Sequence, residues 1–207
     1  MASKKRVAIL ISGRGSNMVA IARAVKQGKI PQAEIAVVIS NVSDAPGLKK
    51  AQLMGLETLC INREDFSTRE DFDRRIVEEL QKRRVDLVCL AGFMRILSPY
   101  FVSQYRNRIM NIHPALLPSF PGMEAQKDAL GHGVKYTGCT VHFVNEQVDA
   151  GPIIIQKVVP VQDDDDAEIL SARILKQEHK IYPEAVKLFT EGRLQVKGRR
   201  VFWKKEP

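Results

Sequence analysis

Cysteine is scarce in this chain. Cys60, Cys89 and Cys139 are widely spaced and form no CxxC pair. An odd, dispersed set excludes a disulfide framework or a thiolate metal site and suits small buried side chains in a reducing compartment. Histidine is nearly as sparse: His113, His132, His142 and His179 show no HExxH-type spacing, so no metal is expected. Aromatic residues make up only 6%, and no basic run is interleaved with them, which argues against nucleic acid as the partner. No apolar run approaches the ~20 residues that span a bilayer. The basic start Met1-Ala2-Ser3-Lys4-Lys5-Arg6 leads into a short apolar stretch before Ser12-Gly13 and lacks the cleavage site of a signal peptide. A cytoplasmic address, away from membranes, is expected.

What the chain does have is alternation. Its 207 residues, 44% hydrophobic and 27% charged, suit one domain with a sizeable core. The net charge of +8, from 32 basic and 24 acidic residues, serves solubility and the attraction of a phosphorylated ligand. Val7–Ile11, Ile35–Ser40, Thr58–Ile61 and Leu87–Leu90 are β-branched, near-continuous apolar runs that predict strands. Met18–Gln27, Gly47–Met54 and Arg69–Arg83 between them carry helical periodicity. Such alternation predicts an α/β protein with a doubly wound, mostly parallel, Rossmann-like sheet. Ligands are then expected at the carboxyl ends of the strands, where Ser12 and Ala91 fall.

From Pro99 onward the pattern changes. Ile109–Ile112 predicts a short buried strand, and prolines 114, 118 and 121 then forbid regular structure. Tyr136–Val144 and Ile153–Val159 predict two longer strands in an antiparallel C-terminal extension. Ala167–Glu191 predicts one long helix, and Leu194–Val196 with Val201–Trp203 a closing hairpin. The four carboxylates Asp163–Asp166 imitate a metal cluster, but before a helix they serve more simply as capping groups and complement to the helix dipole. The whole is read as a single domain, 1–207, with a nucleotide- and phosphate-binding half (1–98) and a catalytic half (99–207).

Two segments carry chemistry. Ser12-Gly13-Arg14-Gly15-Ser16-Asn17 lies between a strand and a helix, where glycines let backbone amides turn toward an anion. Ser16 and Asn17 are expected to cap the helix and add donors. A capped turn without a ligand uses the same residues, and two glycines alone do not separate the readings. A dinucleotide fingerprint is excluded, because Met18 occupies the third glycine position and Ser40-Asn41 supplies no acidic residue for a ribose. The lysine of a Walker loop is missing too, so a single phosphate monoester fits best. In the second segment, Asn111 and His113 alternate at a strand end, so both side chains project to one face and toward a common oxygen. An amide, an imidazole and a loop carboxylate such as Asp149 are the groups needed to hold an oxyanion and move a proton. His142 alternates out of an apolar strand in the manner of a hydrogen-bonded core histidine.

Taken together, Ser12–Asn17, Ala91-Gly92-Phe93-Met94-Arg95-Ile96-Leu97-Ser98, the octapeptide Asn111–Pro118 and Val148-Asp149-Ala150-Gly151 resemble the folate-dependent formyltransferases. The likeness runs from Val7 to about Glu191 and is nearest to those members that act on glycinamide ribonucleotide. It implies transfer of a formyl group from 10-formyltetrahydrofolate, a co-substrate, to the amine of that nucleotide in de novo purine biosynthesis. It also implies the residue roles. Asn111, His113 and Asp149 form the catalytic trio, with His142 in support. Gly15, Ser16 and Asn17 hold the phosphate, and Glu178 holds the ribose. Arg95, Leu97, Asn145 and Val148 wall the folate site. Ala115 departs from the usual serine, and Met123-Glu124-Ala125 departs from the expected substrate loop. Three rivals share parts of the pattern: a formyltetrahydrofolate hydrolase, a methionyl-tRNA formyltransferase and a non-catalytic folate or nucleotide binder. The tRNA enzyme normally adds a C-terminal barrel, for which the residues after Glu191 leave no room. Monomer and homodimer both remain open.

Overall fold

A computed structural model describes residues 3–204. The first half alternates strand and helix: β1 (Lys5–Ile11), α1 (Ser16–Lys26), β2 (Ala33–Ser40), α2 (Pro46–Leu53), β3 (Thr58–Cys60), α3 (Arg69–Lys82) and β4 (Leu87–Leu90). The second half holds α4 (Pro99–Gln104), β5 (Ile109–His113), α5 (Ala125–Gly131), β6 (Tyr136–Phe143) and β7 (Ile153–Pro160). The long α6 (Ala167–Thr190) and a hairpin of β8 (Leu194–Lys197) and β9 (Arg200–Trp203) follow.

The nine strands among the described residues join one sheet in the order β3-β2-β1-β4-β5-β6-β7-β9-β8. β3 through β5 pair in parallel, and β5–β6 and β6–β7 pair antiparallel. The expected parallel core with an antiparallel extension is present. The chain winds outward from β1 to β3 and then returns to β4 on the other side of β1. That reversal opens a crevice beyond the carboxyl ends of β1 and β4. The crevice is closed at its base by backbone bonds, Ala91 N to Leu10 O at 2.8 Å and Ser12 N to Gly92 O at 2.9 Å.

The apolar strands are continuous because both faces are covered. Val7, Ile9 and Ile11 face a core with Met18, Ile21, Leu170, Ile174 and Ile181 from α1 and α6. Ala8 and Leu10, one residue out of phase, face Phe72, Ile76, Leu80 and Phe101 from α3 and α4. Full burial of each such Leu, Ile or Phe contributes roughly 1.5–3 kcal/mol.

Three features were not expected from sequence. α4 and α5 have six and seven residues, too short for periodicity to show. α4 does carry a local start signal, Ser98 capping Phe101 N at 3.3 Å with Pro99 behind it. The third is the hairpin's attachment: β9 lies parallel to β7 through Ile153 and Arg200, and the Trp203 indole donates to Ile154 O at 3.2 Å. The acidic run acts as expected at its end, with Asp166 accepting from Ile169 N at 2.7 Å.

Tyr182 of α6 fastens this frame beneath the crevice. It is fully buried, and its hydroxyl donates to Leu90 O at 3.0 Å and Met110 O at 2.9 Å, tying the ends of β4 and β5 to the helix. Tyr182→Phe is expected to lower the unfolding free energy by about 1–2 kcal/mol, because two buried carbonyls lose a shared donor. Urea denaturation at an unchanged slope measures it, and an unaltered midpoint would show that the hydroxyl contributes nothing.

Candidate active site

β5 delivers Asn111 and His113, and its antiparallel partner β6 sets His142 opposite Asn111 and Thr140 opposite His113. Asp149 reaches the same point from the loop after β6. It sits in the left-handed region at φ 50. Two residues later the chain passes so close to β6 that a Cβ on Gly151 would lie 1.7 Å from Phe143 O, which is why glycine stands there.

The side chains form a ring of contacts around the Asp149 carboxylate, which is 11% exposed. Oδ2 accepts from Gly122 N at 2.9 Å and faces His113 Nδ1 at 3.4 Å. Oδ1 faces Asn111 Nδ2 at 3.5 Å and His142 Nε2 at 3.7 Å. Asn111 and His113 do share a face, as their spacing predicts, but each turns to its own oxygen of this carboxylate. His113 Nε2 lies 2.7 Å from Phe120 O, a carbonyl that can only accept, so Nε2 carries a proton. A second proton on Nδ1 would give the ring a further donor, directed at the carboxylate. His142 differs. Its Nδ1 donates to Phe143 O at 2.9 Å, and its Nε2 lies 3.4 Å from Asn111 Nδ2 and 3.7 Å from Asp149 Oδ1.

Burial pushes the Asp149 carboxyl up, but the His142 ring, the Gly122 amide and the His113 charge together hold it below the ordinary carboxylate value. Phe120 and Gly122 act through backbone atoms, and sequence reading missed both. The Pro121-Gly122 pair marks a turn, yet nothing in it shows where a carbonyl or an amide will point.

The ring opens on a cavity of about 400 Å³. Arg95, Leu97, Asn145 and Val148 all line it, together with apolar Leu90, Phe93, Ile112 and Val144. Asn145 also braces its own loop by accepting from Gln147 N at 3.1 Å. The size and apolar character suit a small-molecule ligand.

A second cavity of about 490 Å³ lies beside it, lined by Ser12–Asn17, Glu168, Ser171 and Glu178. Gly92, Met94, Ile112 and Pro114 line both, so the two share a wall. The expected capping by Ser16 and Asn17 is not what forms. Gly15 is the N-cap of α1, left-handed at φ 65, and no side chain caps the helix. Its first-turn amides have no partner within the helix, as at any helix start. A Cβ on Gly15 would lie 2.9 Å from Gly47 Cα, so the loop packs backbone to backbone on the start of α2.

The Asn17 side chain turns inward instead, donating to Glu178 Oε2 at 2.7 Å. Glu178 is only 7% exposed, not the solvent-facing helix residue that sequence alone allowed. Burial raises its carboxyl, and the Asn17 bond only partly offsets this. Among the described residues, no group of three or more His, Cys, Asp or Glu is placed to hold a metal ion, and no helix is long and apolar enough to cross a membrane.

Residues 5–186 match the formyl transferase family. The structure aligns with the crystal structure of glycinamide ribonucleotide transformylase 1 from Symbiobacterium toebii at a TM-score of 0.97 and 50% identity, covering 99% of this chain and 96% of that one. The phosphoribosylglycinamide formyltransferase of Escherichia coli (strain K12) is 44% identical over 190 residues, 92% of this chain and 89% of that protein. The trifunctional purine biosynthetic protein adenosine-3 of Drosophila melanogaster is 47% identical over 190 residues, and there the chain covers 14% of the relative's length. A match over residues 5–186, joined to a fold that superposes on a family member's at a TM-score of 0.97, leaves one conclusion: this chain belongs to the formyl transferase family.

Proposed function

We propose that this chain transfers the formyl group of 10-formyltetrahydrofolate to the amine of glycinamide ribonucleotide, a step of de novo purine biosynthesis. One observation carries the reading. Two cavities share a wall, and the Asn111–His113–Asp149 cluster lines the one that also holds the expected folate residues. A donor and an acceptor can therefore meet beside the groups that manage charge and proton. The Symbiobacterium and Escherichia relatives, whose names state this substrate, support it.

In this reading Gly15, Ser16 and the main chain of Asn17 receive the phosphate at the open start of α1. Glu178 accepts from the ribose hydroxyls, oriented by Asn17. Arg95, Leu97, Asn145 and Val148 hold the folate. The amine attacks the formyl carbon, forming a C–N bond and moving the carbonyl electron pair onto oxygen. Asn111 and the Nδ1–H of a doubly protonated His113 donate to that oxyanion, Nδ1 leaving its loose 3.4 Å contact with Asp149 while Nε2–H stays on Phe120 O. The contacts Asn111 makes at 3.4 and 3.5 Å are long and are readily exchanged for a stronger one. One such donor contributes roughly 2.7–4 kcal/mol to the transition state. Asp149 accepts the amine proton, directly or through a water, and returns it to N10 as the C–N10 bond breaks.

The primary test is formyl transfer with and without the nucleotide. Turnover is expected only with it, and Asp149→Asn should lower kcat by about 10²–10⁴-fold. Equal deformylation without the nucleotide would mean a hydrolase and would overturn the proposal.

Asp149 also sets a pH dependence of stability. Its folded value lies below its unfolded value of about 4, so its contribution is complete above about pH 5 and is lost as pH falls through the folded value. The stability gap between the wild type and Asp149→Asn should be level at neutral pH and close under acid, read by urea midpoints at stepped pH. Glu178 has the opposite sign. Its folded value is raised, so stability falls as pH climbs from the ordinary carboxylate range toward that value. Glu178→Gln should remove this slope while raising the nucleotide KM by about tenfold, the size of one lost charge-assisted bond. An unchanged KM would separate Glu178 from the ribose.

A further inference from the structure

We infer that Thr140 and Gln156 are positioning residues for His113, acting through the backbone of the 114–120 loop. The inference rests on the role proposed above for His113.

His113, Thr140 and Gln156 stand opposite one another across β5, β6 and β7, so their side chains share one face of the sheet. Thr140 is fully buried in a strand where an aliphatic side chain would pack as well. Its hydroxyl is nevertheless used to capacity. It donates to Ala115 O at 2.7 Å and accepts from Leu117 N at 3.1 Å and Gln156 Nε2 at 3.0 Å. A hydroxyl has one proton and two lone pairs, and all three are engaged. Gln156 Nε2 donates as well to Leu117 O at 2.9 Å.

These bonds hold a segment that cannot hold itself. Pro114 and Pro118 have no amide proton, so the loop between them joins no ladder. Side chains from β6 and β7 grip its backbone at Ala115 and Leu117, and the turn is closed by Ser119 N donating to Leu116 O at 3.0 Å. The next residue is Phe120, held at φ 53, whose carbonyl accepts from His113 Nε2 at 2.7 Å. Two residues further, Gly122 N reaches the Asp149 carboxylate. The path from Thr140 to the imidazole therefore runs through one short loop. Neither Thr140 nor Gln156 lines either cavity, so they act on the imidazole and not on a substrate.

Thr140→Val keeps the shape and removes the hydroxyl, Thr140→Ser restores it, and Gln156→Met trims the exposed end of the network. In Thr140→Val, kcat is expected to fall about 10- to 100-fold, the cost of a reacting group displaced by an ångström or less, with both KM values within about threefold. Thr140→Ser should recover most of the rate, and Gln156→Met should show a smaller loss of the same kind. A second measurement needs no turnover. In the free protein, proton NMR should show a protected low-field His113 Nε2–H resonance, assigned by its loss in His113→Asn. That resonance should move upfield or broaden in Thr140→Val and persist in Thr140→Ser. If the wild type transfers no formyl group, the proposed function fails, and the resonance alone decides the positioning role. If Thr140→Val does not fold, Gln156→Met decides on the same readouts. An unmoved resonance with unchanged kcat, a loss confined to KM, or equal damage from serine and valine would each overturn the inference.

Discussion

A nearly buried carboxylate needs donors, and the second half of this chain is arranged to supply them to Asp149. A charge withdrawn from water without hydrogen bonds costs several kcal/mol. Here it meets a main-chain amide from the 120–122 turn, an amide side chain from β5 and imidazoles from β5 and β6. These groups come from three separate stretches of the chain, so satisfying one charge fixes the relation of two strands and two loops. The net lowering of its proton affinity reports that the donors prevail over burial.

The second cavity follows another rule. It is lined by one cation, Arg14, and two carboxylates, Glu168 and Glu178. The overall charge of +8 is therefore not concentrated where an anion is proposed to sit. A phosphate held as proposed would rely on backbone amides and the helix dipole, which cost no side-chain entropy to place. Ser12 links that loop to the other cavity, donating to Asn41 Oδ1 at 2.6 Å and accepting from Met94 N at 2.8 Å. One hydroxyl thus spans the ends of β1, β2 and β4.

Periodicity made the parallel half legible, because strands covered on both faces are apolar at every position and helices between them are not. The pairing of Asn111 with His113 was legible for a similar reason, being a two-residue spacing on a strand. Asp149 was not. Thirty-six residues separate it from His113, and only the family resemblance joined them before the structure did. Glu178 hid in the pattern of a polar helix position, since burial there is created by α1, far away in sequence. The capping expected of Ser16 and Asn17 failed because Gly15 takes the N-cap position and both residues fall inside α1, where Asn17 turns to Glu178. Contributions from Phe120 and Gly122 leave no trace in side-chain identity, because the working atoms belong to every residue alike.

The glycine after the Asp149 loop bears on how such a protein can drift in sequence. With Phe143 O at 1.7 Å from any Cβ at position 151, even alanine forces the loop away from the strand. Glu146 and Gln147, exposed at the tip of the same loop, meet no such limit while still lining the cavity mouth. The loop is thus divided into a fixed root and a permissive tip. Mutation can retune what the mouth admits while the carboxylate stays in register, so ligand preference and chemistry are free to evolve at different speeds.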